Sequence, residues 1–179
     1  MRSHYDVPFI GIEPAIKPAA LHTKTNAVGI LATKGTLSSE LFAKTSATFA
    51  KDVQIVEQVG TGLVELIEAN QLDTNEMHQL LEQYLHPMME KHIDYLILGC
   101  THYPYLIPQI QEILTKKVTI IDSGEAVARQ TKNILDQNNL LHTSNQSGLH
   151  LIYSNTDVTT LKHLLKDLKV KMEIKKKDF

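Results

Sequence analysis

Apolar and polar positions along this chain follow two alternating rhythms. Short apolar runs read as strands over 7–12, 27–32, 53–56, 95–98, 118–121 and 149–153. They are nearly continuous rather than alternating, which is the pattern of parallel strands covered on both faces. Between them, apolar residues recur every three or four positions, the spacing of one helix face. One helix is predicted from Leu37 to Phe49 behind Thr36 as its N-cap, with Ser38 and Ser39 in its first turn. A second starts at Asp73 or Thr74, aligns Met77, Leu80, Leu81, Tyr84, Leu85 and Met88, and ends near His92. Pro87 lies inside it and predicts a kink. Further helices are expected from Pro104 to Leu114, from Ser123 or Gly124 through Val127 and Ile134, and after Thr156 or Asp157 through Leu161, Leu164, Leu165 and Leu168. Strands alternating with helices predict an α/β fold with right-handed crossovers. Glu13 to Pro18 holds two prolines and is expected to be a stiff, extended linker, with a second joint near Asp122-Ser123-Gly124.

Composition narrows the partners. The 179 residues suit one domain or two small lobes, and 42% hydrophobic with 21% charged residues is ordinary for a globular chain. A net charge of −2 points to neither nucleic acid nor a membrane surface as partner. No apolar run approaches the roughly 20 residues that span a bilayer. Met1 to Asp6 lack the apolar core of a signal peptide. One cysteine cannot form an internal disulfide, so a reducing, cytoplasmic setting is expected. Lys175 to Lys177 read as a solvated, frayed terminus.

That one cysteine carries the most informative chemistry. Leu96-Ile97-Leu98 leads into Gly99-Cys100-Thr101-His102-Tyr103-Pro104, so a strand delivers a thiol, a hydroxyl and an imidazole to its carboxyl end. Open α/β sheets place their sites there. A lone cysteine is most often a small buried hydrophobe. Here, a helix starting near Pro104 would aim its amino end back at the thiol and favour the thiolate. His102 reads either as a proton-transfer partner or as a loop residue bonded to the backbone. Ala32-Thr33-Lys34-Gly35-Thr36 forms a strand–turn–helix corner suited to a carboxylate or phosphate, or simply to capping by Thr36. Glu57, Glu65 and Glu68 bracket Gly60-Thr61-Gly62. No Cys or His pair has zinc-ligand spacing and no Gly-x-Gly-x-x-Gly occurs, so neither a metal nor another cofactor is expected.

Taken together these segments resemble bacterial glutamate racemases. Gly99-Cys100-Thr101-His102-Tyr103-Pro104 looks like that family's second cysteine motif, and the hexamer separates it from aspartate and hydantoin racemases, which share the fold. Phe9 to Ala19 resembles the passage into the family's second lobe, Ala32 to Thr36 its Ala-Thr-x-Gly-Thr loop, and Ile121 to Gly124 its return to the first lobe. Order and spacing agree to about Tyr153-Ser154. The resemblance implies two pseudo-symmetric α/β lobes facing each other across the active site. Residues 1–12 would end the first lobe. Residues 13–122 would form the second, a three-layer α/β/α lobe, and 123–179 would return to the first. Met1 to Tyr5 would match the helix after the family's first motif.

The implied reaction is cofactor-independent interconversion of L- and D-glutamate for peptidoglycan, and so for cell-wall biogenesis and cell shape. One thiolate takes the α-proton and a second cysteine returns a proton to the opposite face. By resemblance, Cys100 is one of these thiols, His102 assists it, and Glu68, ending Leu66-Ile67-Glu68, supports the histidine. Thr101 would hold the substrate's amino-acid end, and Thr33 and Thr36 would contact substrate or shape its pocket. Gly60-Thr61 stands where the family has Cys-Pro. The family's Asp-Ser-Gly-Val-Gly-Gly loop and Ala-Cys-Asn-Thr-Ala motif are absent, so the chain is expected to be the family minus its amino-terminal part and inactive alone. The expected partners are glutamate and a second copy of the chain, with no nucleic acid and no membrane. Two other readings stand beside this one: a non-catalytic module that binds a small acid or a partner, and an enzyme using Cys100 alone as nucleophile.

Overall fold

The computed structural model describes residues 4–114, 117–142 and 148–179. In chain order its elements are α1 (Ile16–His22), β1 (Ala27–Ala32), α2 (Lys34–Leu37), α3 (Glu40–Phe49), β2 (Gln54–Val59), α4 (Leu63–Glu68), α5 (Asn75–Glu90) and β3 (Tyr95–Gly99). A 3₁₀ turn (Tyr103–Leu106) leads into α6 (Ile107–Ile113), and β4 (Thr119–Ile121), α7 (Gly124–Gln137), β5 (His150–Ser154), α8 (Thr159–Leu164) and β6 (Met172–Lys176) follow.

Four strands form a parallel sheet in the order β2-β1-β3-β4. The strand β1 is central and buried throughout, which accounts for its unbroken apolar sequence. Its alternate residues serve two cores. Val28, Ile30 and Ala32 meet Ile16 and Ala19 of α1 and Phe42 of α3 on one face. Ala27 and Leu31 join Leu63, Leu66 and Ile67 of α4 and Met77, Leu81, Leu85 and Met88 of α5 on the other. The predicted parallel-sheet α/β fold, with helices on both faces, is therefore present. Because all four strands run the same way, the loops that follow Ala32, Val59, Gly99 and Ile121 gather along one edge of the sheet.

The predicted helix after Asp73 is α5, capped by Thr74, whose hydroxyl accepts from the Met77 amide. Several expectations are corrected. Residues 7–12 form no strand: Val7, Ile10 and Ile12 are exposed, Pro8 offers no amide, and no described strand pairs with them. The expected extended linker Glu13–Pro18 instead turns into α1 at Ile16, with Pro18 tolerated in the first turn. The helix predicted from Leu37 to Phe49 is two helices. Thr33 caps α2, and Ser39, accepting from the Phe42 amide at 3.1 Å, caps α3. The lysine-rich terminus is not frayed, because Met172–Lys176 pairs in parallel with His150–Ser154 as a separate two-stranded sheet. Of the helix expected at Met1–Tyr5, residues 1–3 lie outside the described residues, and His4 and Tyr5 are not helical.

Candidate functional site

Gly99 ends β3 in register with Ala32 of β1, so the next residue on each strand, Cys100 and Thr33, emerges side by side at the sheet's carboxyl edge. The Thr36 hydroxyl donates to the Gly99 carbonyl at 3.0 Å. With that proton committed, the Thr33 hydroxyl is left as donor in the 3.1 Å contact between the two threonines. Thr33 Oγ1 also accepts from the Thr36 amide at 3.3 Å. The threonine corner thus does two things. Its Thr33, in place of the expected Thr36, caps α2, and its Thr36 ties the loop after β1 to the strand end that carries the thiol.

Cys100 is half-buried and unpaired. Its Sγ lies 3.9 Å from Nδ1 of His102, and Nε2 of the same ring lies 3.0 Å from Oε1 of Glu68. The three side chains form a line from thiol to imidazole to carboxylate. Glu68 arrives from the last residue of α4, 34 positions earlier in the chain. A carboxylate on Nε2 fixes that nitrogen as the N–H donor and turns the lone pair of Nδ1 towards the sulfur.

Beside the thiol is a cavity of about 370 Å³, lined by Thr33, Thr36, Gly99, Cys100 and Thr101 from the two strand ends. Glu13, Pro14, Asp122, Ser123 and Gly124 line it as well. His102 and Glu68 do not line it, and reach it only through the Cys100 sulfur. The opposite wall is held by Ser123, whose hydroxyl donates to the Glu13 carbonyl.

Every predicted site residue is therefore at or next to this edge. The helix expected to point at the thiol begins as a 3₁₀ turn, with the Tyr103 amide donating to the Cys100 carbonyl at 3.2 Å. Glu57 on β2 and Glu65 on α4 do not line the cavity. Asp122 was not anticipated as a lining residue. Its position after an apolar strand, like that of Cys100, was the available signal. Among the described residues no three His, Cys, Asp or Glu side chains converge as a metal-binding group.

Comparison with known proteins gives the same answer at three levels. Residues 1–131 match the family model described as Asp/Glu/Hydantoin racemase. A glutamate racemase from Pseudomonas syringae pv. tomato is 49% identical over 142 residues, 79% of this chain and 52% of that protein. One from Pseudomonas putida is 45% identical over 158 residues, 88% of this chain and 59% of that protein. The chain thus spans little more than half the length of the curated relatives it matches. Among solved structures, a glutamate racemase isoform from Bacillus anthracis superposes with a TM-score of 0.83 at 28% identity, covering 99% of this chain and 67% of that one. The Escherichia coli enzyme, solved with L-glutamate and the activator UDP-MurNAc-ala, gives 0.79 at 30% identity over 98% and 66%.

Proposed function

Since this chain belongs to the Asp/Glu/hydantoin racemase family, we propose that it carries one half of a glutamate racemase site, with Cys100 as one of two acid/base thiols. The observation that carries this reading is the Cys100–His102–Glu68 line at a strand's carboxyl end, beside a cavity lined with hydroxyls. The 49% identity to a glutamate racemase supports glutamate over other amino acids as the substrate.

Inversion at the α-carbon requires proton removal from one face and delivery to the other. On the Cys100 face, the sulfur takes or gives the α-proton, and Nδ1 of His102 receives the thiol proton when the thiolate forms. Glu68 holds the ring in the required tautomer and balances the imidazolium. The sulfur–nitrogen distance of 3.9 Å is long, as such contacts often are before substrate closes the site. In this reading Thr101 holds the amino-acid end of the substrate, and Thr33 and Thr36 shape its pocket. No cofactor takes part. The opposing thiol cannot come from this chain, whose only cysteine is Cys100. Residues 13–122 act as the second lobe, while 1–12 and 123–179 belong with the first. A cytoplasmic setting suits an unpaired thiol, and the D-glutamate formed serves peptidoglycan. Self-association as a homodimer completes the reading.

Titration of the ¹⁵N-labelled chain with L- and D-glutamate tests it. Saturable amide shifts confined to Thr33–Thr36 and Gly99–His102, weakened in Thr101→Val, are expected. Absence of binding, or shifts elsewhere, would refute the half-site. The chain alone should give no racemisation by chiral chromatography, and Cys100-dependent turnover would overturn the two-thiol account.

A further inference from the structure

We propose that Tyr103 is a positioning residue for the His102–Glu68 pair, and that it acts by clamping the turn from which the helix of Glu68 starts. This rests on the reading of His102 as the group that exchanges a proton with Cys100.

Tyr103 follows His102 directly, and its ring is fully buried. The phenol donates to the Gly60 carbonyl at 3.0 Å. Burial, with Cys100, Glu65 and Tyr84 adding to it, pushes the phenol above its ordinary range, so it stays protonated and remains a donor. Gly60 is matched to this ring. A Cβ there would lie 2.4 Å from the phenol oxygen, so a side chain at Gly60 and the Tyr103 hydrogen bond exclude each other. Tyr84 of α5 donates to the next carbonyl, Thr61, at 2.8 Å. Two tyrosines from two elements therefore hold two consecutive carbonyls of one turn.

Gly62 then takes a left-handed φ of 84°, and α4 begins at Leu63. Its six residues bury Leu63, Leu66 and Ile67 and end on Glu68. The path closes on itself: His102, Tyr103, the Gly60 turn, α4, Glu68, and back to His102. Two links of that ring are non-covalent, the Tyr103–Gly60 and Glu68–His102 hydrogen bonds. The Glu68 side chain is 51% exposed, so water competes for its carboxylate. Its place on the imidazole is kept by where the backbone puts it, and the Tyr103 clamp decides that.

Ring ¹⁵N shifts of His102 in the full chain test the clamp without turnover. Glu68→Ala defines the uncoupled ring. Tyr103→Phe should move both ring shifts at least halfway to the Glu68→Ala values, and Tyr84→Phe should move them the same way by less. Phe42→Leu, in the core on the other face of the sheet, should lower the melting temperature and leave the ring shifts in place. A folded Tyr103→Phe with wild-type shifts overturns the clamp and leaves the His102–Glu68 pair standing. Equal movement in Phe42→Leu also overturns it, as a general loosening. If Glu68→Ala itself keeps wild-type shifts, the pair fails and the clamp with it. Should Tyr103→Phe not fold, Tyr84→Phe decides in its place.

Discussion

Gly99→Ala should destabilise the fold by crowding one methyl group against another. Gly99 pairs with Ala32 at the carboxyl ends of the two central strands, and a Cβ added there would sit 2.7 Å from the Ala32 Cβ. The next contacts, at 3.6 Å from the Ala32 Cα and the Ile30 Cδ1, are ordinary. Both strands are fixed, since β1 lies between β2 and β3, and the Gly99 carbonyl is held by Thr36. Overpacking of this kind costs about 1–3 kcal/mol. With a urea slope of about 2 kcal/mol per M, the unfolding midpoint should fall by roughly 0.5–1.5 M at unchanged slope. The clash has a single partner, so Ala32→Gly should relieve it. Alone, Ala32→Gly costs about 1–2 kcal/mol from the lost methyl and the added backbone freedom. Combined with Gly99→Ala, it should recover at least about 1 kcal/mol relative to the sum of the two single changes. Equilibrium urea unfolding followed by circular dichroism measures all four chains. An unchanged midpoint in Gly99→Ala, or strict additivity in the double variant, would refute the steric reasoning.

Two further predictions concern local hydrogen bonds. Thr74→Ala removes the hydroxyl that accepts from the Met77 amide and should cost about 1 kcal/mol, whereas Thr74→Ser should keep most of the stability; equal urea midpoints for the two would show that the cap contributes nothing. Asp94 is pulled two ways. Burial opposes its charge, but bonds from the Thr23 hydroxyl and the Lys24 and Thr25 amides outweigh it and hold the carboxyl below its ordinary value of 3.8. A carboxyl lowered in the fold contributes stability above its unfolded value and loses it as pH falls through the folded one. Asp94→Asn should therefore lower the midpoint at pH 7, and the difference should shrink as pH falls below the ordinary carboxylate value of 3.8. A difference that grows as the pH is lowered from 7 would contradict this sign.

The sheet was readable in sequence wherever burial is two-sided. The runs of β1 and β3 are apolar at nearly every position because helices cover both faces, and no surface pattern competes with that signal. The Thr74 cap and the chain of Gly99, Cys100, Thr101 and His102 were readable for a local reason, since a cap or a strand-end loop is made by neighbours in sequence. Where apolar character and pairing part company, pattern reading failed. Residues 7–12 look like a buried strand, but a strand exists only where another backbone accepts its hydrogen bonds, and none of the described strands does. β6 is the opposite case, Lys-rich and yet paired, because its partner β5 supplies the ladder. The short helix α4 is too brief for periodicity to reveal and is held by its buried face. The sequence alone thus settled the sheet's central strands and the thiol at the end of one of them. The tertiary structure decided what that thiol faces, because Glu68 reaches His102 across 34 residues, and Gly60 reaches Tyr103 across 43. Such contacts belong to the packing of α4 and the turn before it against the loop after β3, which no local pattern encodes.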